Sequence, residues 1–219
     1  VKTPETSDAA LSTAFVVARG LGKNAVLTAD APGFVVNRLL AKVFGEAARA
    51  LDSGTPIAAI ERAYSPIGLP MGPFELIDLV GWKVAAHVQD TMVGAFPDRF
   101  YASENLHKAA ELEKVVEKNK AGKVEDLSKE AKKAPTLGKT ATDETEILRR
   151  VEEGLAAEIK IMLDEGVVAA AEDIDLCMIL GAGWPFQTGG ATPYLDRVGA
   201  SERAFGAKFH DPAIAGPQS

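Results

Sequence analysis

Hydrophobic residues in the first part of the chain recur at steps of three and four, the spacing that places side chains on one face of an α-helix. The clearest stripe follows Gly33 and runs from Val36 to Leu51. A shorter one follows Thr6-Ser7-Asp8, residue types that can cap a helix start, and reaches about Gly20. The pattern therefore predicts one amphipathic helix on each side of a Pro-Gly break.

Three more helices are predicted before residue 97. Thr55 and Pro56 suit a cap and a first helical position. A second helix covers about 74–79 and is stopped by Gly81, and Trp82 opens a third. Only residues 25–28 have the pattern of a strand. Because a lone strand is unstable, we expect it to be loosely held or to pair with another chain.

From 98 to 146 the composition changes, and Lys and Glu alternate densely between Lys108 and Lys133. Such a stretch is typical of a solvated connection, so we predict a charged linker that is partly helical and largely exposed. A new helical stripe begins near Ile147 and again has steps of three and four.

The second stripe belongs to an internal repeat. The separation between matching segments grows from 112 to 118 positions, as small loop insertions would produce. Self-similarity across several elements indicates duplication, and two such units can bury one shared apolar face, like a dimer within one chain. The matching segments are LDSG at 51–54 with LDEG at 163–166, IE at 60–61 with ID at 174–175, and LID through Gly at 76–81 with YLD through Gly at 194–199.

The repeat is unequal at one chemically informative position. Asn37 and Arg38 lie in the first turns of the helix after Gly33, near the positive end of its dipole. An amide there can donate and accept, which suits a polarised carbonyl or an anion. Their equivalents 112 positions later are Arg149 and Arg150, so the second copy lacks the amide. If Asn37 carries chemistry, the first copy is functional and the second is structural.

Composition limits the classes of function. The net charge of −7 over 219 residues gives no electrostatic case for nucleic acid. The single cysteine, Cys177, fits a reducing, cytoplasmic location, and no apolar run is long enough to span a membrane. No signal peptide is expected, and the start at Val1 suggests a fragment of a longer chain.

Neither a metal site nor a nucleotide site is predicted. His87, His107 and His210 belong to no metal-binding or Ser-His-Asp pattern. The GAGWPF run at 181–186 begins like a dinucleotide fingerprint, but it lacks the third Gly, and Pro185 would interrupt the helix that binds pyrophosphate. We therefore expect no cofactor-binding residue in this chain.

Two motifs resemble the C-terminal helical domain of 3-hydroxyacyl-CoA dehydrogenases, and the second copy resembles a degenerate version of it. Tandem copies occur in multifunctional fatty-acid β-oxidation proteins that join an enoyl-CoA hydratase to this dehydrogenase. The first-copy motifs are PGFVVNRLL at 32–40 and GLPMGPFELIDLVG at 68–81. The second-copy motifs are LDEG at 163–166, DID at 173–175, GAGWPF at 181–186 and YLDRVG at 194–199.

The resemblance implies a mainly all-α fold of two tandem units like the C-terminal domain of 6-phosphogluconate dehydrogenase. The family often carries a basic, Gly-rich stretch ending in aromatic residues within the linker; this chain has only KAGK at 120–123 and LGK at 137–139. The expected divisions are a remnant of the nucleotide-binding domain at 1–31, the first helical domain at 32–97, the charged linker at 98–146, the second helical domain at 147–210 and a tail at 211–219.

The resemblance also implies site residues. Asn37 would be catalytic, holding the 3-oxygen of the substrate in a cleft beside the nucleotide-binding domain. Arg38 fits equally a phosphate or acyl contact and an ion pair with Glu46 or Asp78. Met71 and Phe74 would line a groove for the acyl chain, although core packing is favoured for both. The family's catalytic His and Glu lie in the nucleotide-binding domain and have no counterpart here.

Three functions remain open at this stage. The first is the substrate-binding and assembly portion of an NAD-dependent 3-hydroxyacyl-CoA dehydrogenase, predicted to be inactive in isolation. It implies 3-hydroxyacyl-CoA and 3-ketoacyl-CoA as substrates, NAD bound by the missing domain, and that domain and a thiolase subunit as partners. The second is a helical dimerisation scaffold without substrate, and the third is the helical domain of another β-hydroxyacid dehydrogenase.

Overall fold

The regular secondary structure of the chain is mainly helical in the computed structural model, which describes residues 1–133 and 137–210. This confirms the predicted mainly all-α class; the expected tail at 211–219 lies outside the described residues. The α-helices there are α1 (Asp8–Gly20), α2 (Val36–Asp52), α3 (Ile57–Ala63), α4 (Pro73–Val80), α5 (Trp82–Ala95), α6 (Glu104–Ala110), α7 (Glu144–Asp164), α8 (Ala171–Ala182), α9 (Ala191–Arg197) and α10 (Ala200–Phe205). The two strands are β1 (Val116–Lys118) and β2 (Val124–Leu127), and the 3₁₀ helices are Ser65–Ile67 and Phe186–Thr188.

The elements repeat in one order, as the duplication predicts. Helices α2 and α3, a 3₁₀ helix, α4 and α5 form the first unit; α7 and α8, a 3₁₀ helix, α9 and α10 form the second. The long helices α2 and α7 pack against each other, and one continuous hydrophobic core contains residues of both units. The two units therefore bury a shared apolar face within one chain.

The buried face of each long helix is its predicted stripe. Leu39 and Val43 on α2, and Leu155 and Ile159 on α7, are exposed by 2% or less. Burying an aliphatic side chain of this size contributes about 1.5–3 kcal/mol, so the two stripes account for much of the attraction between the units. Among the described residues, no helix has the length and hydrophobicity needed to cross a bilayer.

The charged segment after residue 98 is not the largely solvated linker that its composition predicts. It contains α6 and an antiparallel hairpin of β1 and β2, whose strand β2 contacts α3. Val116 and Leu127 are buried in the common core while the charged residues between them stay exposed. Only a few apolar residues hold the hairpin on the core. Among so many Lys and Glu residues, their alternation with polar positions was too weak to predict strands.

Two local predictions also differ from the structure. Residues 25–28 form no regular strand; instead the N–H of Ala29 donates to the carbonyl of Val167 at 2.8 Å, which ties the N-terminal segment to the second unit of the same chain. Thr55 does not cap α3, because its hydroxyl accepts the N–H of Thr142 at 2.8 Å. In both cases a distant partner replaces the local one.

Candidate functional site

The site is built at the start of α2, where the backbone takes an uncommon path. Gly33 and Phe34 have φ of 72° and 48°, so two consecutive residues are left-handed. A Cβ on Gly33 would lie 2.9 Å from the sulfur of Met92, which explains the glycine. For Phe34, a bulky residue, this conformation costs about 1–3 kcal/mol, and such strain clusters at functional sites.

Asn37 is the second residue of α2 and its side chain is exposed. No side chain caps the start of this helix, so the amide lies beside backbone N–H groups that have no partner within the helix. Within residues 1–133 and 137–210, Asn37 makes no side-chain hydrogen bond. The amide and the positive end of the helix dipole are therefore both open to an external carbonyl or anion.

Arg38, the next residue, is completely buried and points into the molecule. Its Nε donates to Glu158 at 2.6 Å and its Nη2 donates to Glu165 at 2.7 Å. The guanidinium carbon also lies 4.6 Å from the centre of the Phe96 ring. Arg38 therefore has no exposed surface with which to contact a ligand.

The ion-pair alternative for Arg38 holds, but with other partners than we expected. Glu46 lies 3.4 Å from Arg49 on the same helix, and Asp78 lies 2.7 Å from Lys118 of the hairpin. The observed partners of Arg38 both belong to the second unit, Glu158 on α7 and Glu165 directly after its end, and no local sequence signal marks them.

Two further cations complete this partly buried cluster. Arg99 contacts both Glu158 and Glu165, and the Nζ of Lys42 lies 3.5 Å from Glu158. Burial lowers the pKa of Lys42 below its usual range, against the attraction of Glu158. We call Arg38, Lys42, Arg99, Glu158 and Glu165 the ion cluster; it joins the start of α2 to the second unit.

A different carboxylate caps the start of α4. Glu61 on α3 accepts the backbone N–H of Phe74 at 2.7 Å and of Glu75 at 3.3 Å. Gly72 is required beside it, because a Cβ there would lie 1.5 Å from the Glu61 carboxylate. This support for α4 was not predicted.

The second unit repeats the device. Asp175 on α8 accepts the N–H of Thr192 at 2.7 Å and its hydroxyl at 2.6 Å. A Cβ on Gly190 would lie 2.4 Å from Asp175. Glu61 and Asp175 match in the sequence repeat, so an acidic residue at both positions was the sequence feature that could have predicted these caps.

Glu61 makes the stability of the first unit depend on pH. Burial raises its pKa to about 7, against the backbone N–H groups of Phe74 and Glu75. The stability that the folded protein gains from neutral Glu61 is fully present below the ordinary pKa of Glu, and it is lost as the pH rises through about 7. Glu61→Gln keeps an acceptor for Phe74 without the charge, so we expect it to melt higher than wild type at pH 8 and equally at pH 5.

Thermal melts of both proteins at the two pH values measure this difference. The matched control is Glu113→Gln, because Glu113 is exposed, and it should leave the melting temperature unchanged at both. A Glu61→Gln protein that melts below wild type at pH 8 would contradict the assignment.

The structure separates Met71 from Phe74. Met71 lines an open cavity of about 400 Å³, together with Glu61, Pro70 and Lys123. Phe74 is fully buried, and its ring stacks on Trp82 with centroids 5.9 Å apart. Of the two, only Met71 borders space that a ligand could enter.

The glycines of the 181–186 run have a packing role. Gly181 lies in the last turn of α8 and Gly183 follows that helix, so the run lies at a helix C-terminus and does not fit a pyrophosphate. A Cβ on Gly181 would lie 2.9 Å from Val36, and one on Gly183 would lie 3.4 Å from Pro70. The end of α8 therefore packs closely against both the start of α2 and the 66–73 loop.

In the described part of the chain, the histidines belong to no group of three or more His, Cys, Asp or Glu side chains that could hold a metal ion. His107 lies 3.0 Å from Asp90, and the His210 ring lies 2.8 Å from the hydroxyl of Thr192. In the described residues, the structure brings no histidine to Asn37.

This geometry defines a helical domain whose strained turn places an amide at a helix start. Residues 33–126 match the family model of the C-terminal domain of 3-hydroxyacyl-CoA dehydrogenase. The chain is thus similar over this segment to the C-terminal domain of 3-hydroxyacyl-CoA dehydrogenase, and the resemblance carried by its motifs is confirmed.

The relatives of the chain include proteins named as subunits of fatty acid oxidation complexes. The chain is 32% identical over 219 residues to the fatty acid oxidation complex subunit alpha of Acinetobacter baumannii (strain SDF), covering 92% of this chain and 30% of that protein. It is 31% identical over 218 residues to the subunit of the same name from Pseudomonas syringae pv. tomato, with the same coverage. The chain therefore spans about 30% of the length of these relatives.

A solved structure shares the fold. The crystal structure of 3-hydroxybutyryl-CoA dehydrogenase from Escherichia coli K12 matches with a TM-score of 0.64 over 95% of this chain and 64% of that one. Its sequence identity is 20%, so this likeness concerns the fold alone.

Proposed function

We propose that this chain is the C-terminal, substrate-binding and assembly portion of an NAD-dependent 3-hydroxyacyl-CoA dehydrogenase of fatty acid β-oxidation, within a multifunctional protein. The observation that carries the proposal is the exposed Asn37 at the uncapped start of α2, inside the segment that matches the family. The names of the relatives, and the 30% of their length that the chain spans, support it.

In this proposal Asn37 binds the 3-oxygen of the acyl-CoA. Its amide N–H donates to that oxygen, and the first N–H groups of α2 add positive potential where negative charge collects on a carbonyl oxygen. Holding the oxygen fixes the direction of the C3–H bond and reduces the entropy lost in reaching the transition state. Met71 is the candidate for contact with the acyl chain.

The described residues do not fit NAD, since their two Gly-X-Gly runs, at 20–22 and 181–183, each end a helix instead of opening one. NAD, which accepts the hydride, is therefore assigned to a nucleotide-binding domain outside this chain. That domain is one proposed partner, and a thiolase subunit is another. The second unit supports the site through the close contacts of Gly181 and Gly183 with the first.

The proposal predicts where activity resides. We expect the isolated 219-residue chain to produce no NADH from NAD and 3-hydroxybutyryl-CoA above a mock purification. The parent protein, meaning the longer chain of which we propose this segment is part, should produce it. Initial rates at 340 nm measure both. NADH formation by the isolated chain would show that the cofactor site lies within it, and an inactive parent protein would refute the proposed reaction.

A further inference from the structure

Asn37 and Arg38 are neighbours on α2 with opposite environments, one exposed and the other 0% exposed. We propose that Glu158 of the second unit is a positioning residue for Asn37, acting through Arg38 and assisted by Glu165. The inference rests on the proposed function. It gives the second unit, which has no amide of its own, a defined part in the reaction of the first.

The contacts hold Arg38 from two sides. Glu158 is 1% exposed and accepts Arg38 Nε at 2.6 Å, while Glu165 accepts Nη2 at 2.7 Å. The two glutamates are seven residues apart, Glu158 on α7 and Glu165 directly after its last residue, so both lie on the same side of that helix. Two separate donors on one rigid, planar guanidinium fix both its position and its orientation.

The start of α2 has few local restraints of its own. No side chain caps it, and it follows the left-handed pair Gly33 and Phe34. The backbone N–H of Arg38 donates to the carbonyl of Gly33 at 3.2 Å, and the ion cluster restrains the Arg38 side chain from the second unit. A shift of about 1 Å in a group that contacts a reacting atom can lower a rate on the order of 100-fold, so this restraint bears directly on turnover.

The repeat gives an independent reason. By the 112-residue offset, Glu158 corresponds to Glu46 and Arg38 corresponds to Arg150. A symmetric pair of units would contain the reciprocal contact between Arg150 and Glu46. Instead Arg150 pairs with Glu146 at 2.8 Å, and Glu46 lies 3.4 Å from Arg49. Of the two equivalent contacts, the structure has only the one that holds the helix carrying the amide.

A double-mutant cycle in the parent protein tests the proposal. Glu158→Gln places an amide N–H₂ toward Lys42 and weakens the hold on Arg38. We expect it to lower kcat for acetoacetyl-CoA reduction on the order of tenfold, with the KM for NADH unchanged. In an Asn37→Ala background the same change should lower kcat no further, although it still lowers the melting temperature.

Glu152→Gln is the matched control. Glu152 is 5% exposed on the same helix, but its partners, the hydroxyl of Tyr194 at 2.6 Å and the guanidinium of Arg203 at 3.7 Å, both belong to the second unit. It should lower the melting temperature and leave kcat unchanged. If Glu158→Gln does not fold, Glu165→Gln replaces it in the cycle, because that side chain is 39% exposed and its loss is tolerated more easily.

The outcomes separate the two proposals. Equal losses of kcat from Glu158→Gln with and without Asn37, or an equal loss from Glu152→Gln, would overturn the positioning role and leave the proposed function intact. If Asn37→Ala itself does not lower kcat, the proposed site falls and the inference falls with it.

Discussion

Asn37→Ala in the parent protein is expected to lower kcat for acetoacetyl-CoA reduction by about 100-fold, the typical cost of removing one donor to a developing oxyanion. The melting temperature should stay within a degree or two of wild type, because the side chain is exposed and makes no hydrogen bond with the described residues. Initial rates with saturating NADH, measured beside thermal melts, give both quantities.

Arg149→Ala is the control from the second unit. Arg149 occupies the equivalent position but pairs with Glu146 and Glu153 on the surface of α7. Exposed pairs of this kind contribute about 0–1 kcal/mol, so both rate and stability should change little. Equal losses of rate from the two alanine variants would contradict a site confined to the first unit.

Asn37→Asp separates chemistry from folding more sharply. A carboxylate near a helix N-terminus stabilises the helix by about 0.3–1 kcal/mol, so this variant should melt no lower than wild type. It has the shape of Asn but no N–H donor, and its charge repels a developing oxyanion. We expect it to lose at least as much turnover as Asn37→Ala, whereas a purely structural role for Asn37 predicts an active variant.

Gly190→Ala is expected to cost about 3 kcal/mol or more of unfolding free energy. The residue has φ of 126°, outside the region that L side chains favour, and its Cβ would lie 2.4 Å from the Asp175 carboxyl group. Strain of about 1–3 kcal/mol adds to an overpacking cost of similar size. Urea unfolding measures the difference, with the m-value checked for constancy.

Gly154→Ala provides the control of opposite sign. Gly154 lies within α7 and a Cβ there has nothing within 4 Å. Replacing an interior helical glycine with alanine should stabilise the protein by roughly 0.5–1 kcal/mol. A Gly190→Ala protein as stable as wild type would show that Asp175 can move away without loss.

Local signals predicted much of this fold. The cap at Ser7, the stop at Gly81 and the stripes of α2 and α7 lie where the sequence pattern placed them, because each depends on residues within a few positions. The duplication was equally readable, since it preserves acidic and glycine residues at matched spacing.

The rest of the site depends on contacts between the two units. Arg38 pairs with Glu158 and Glu165, and no periodicity connects residues so far apart. The hairpin was not predicted for a related reason. Its few apolar residues are buried only by packing on the core formed by other parts of the chain. The sequence thus indicated Asn37 as a candidate but could not show which contacts restrain its helix.

The separation of Arg38 from Glu158 also has a consequence for biosynthesis. The two residues are 120 positions apart, and Arg38 is the earlier. At a translation rate of roughly 5–20 residues per second, Glu158 is synthesised roughly 6–24 s after Arg38. During that interval the nascent first unit cannot bury Arg38 without leaving its charge unpaired, so its native packing is completed only after α7 has emerged. The two copies are in this sense a single unit of folding during translation.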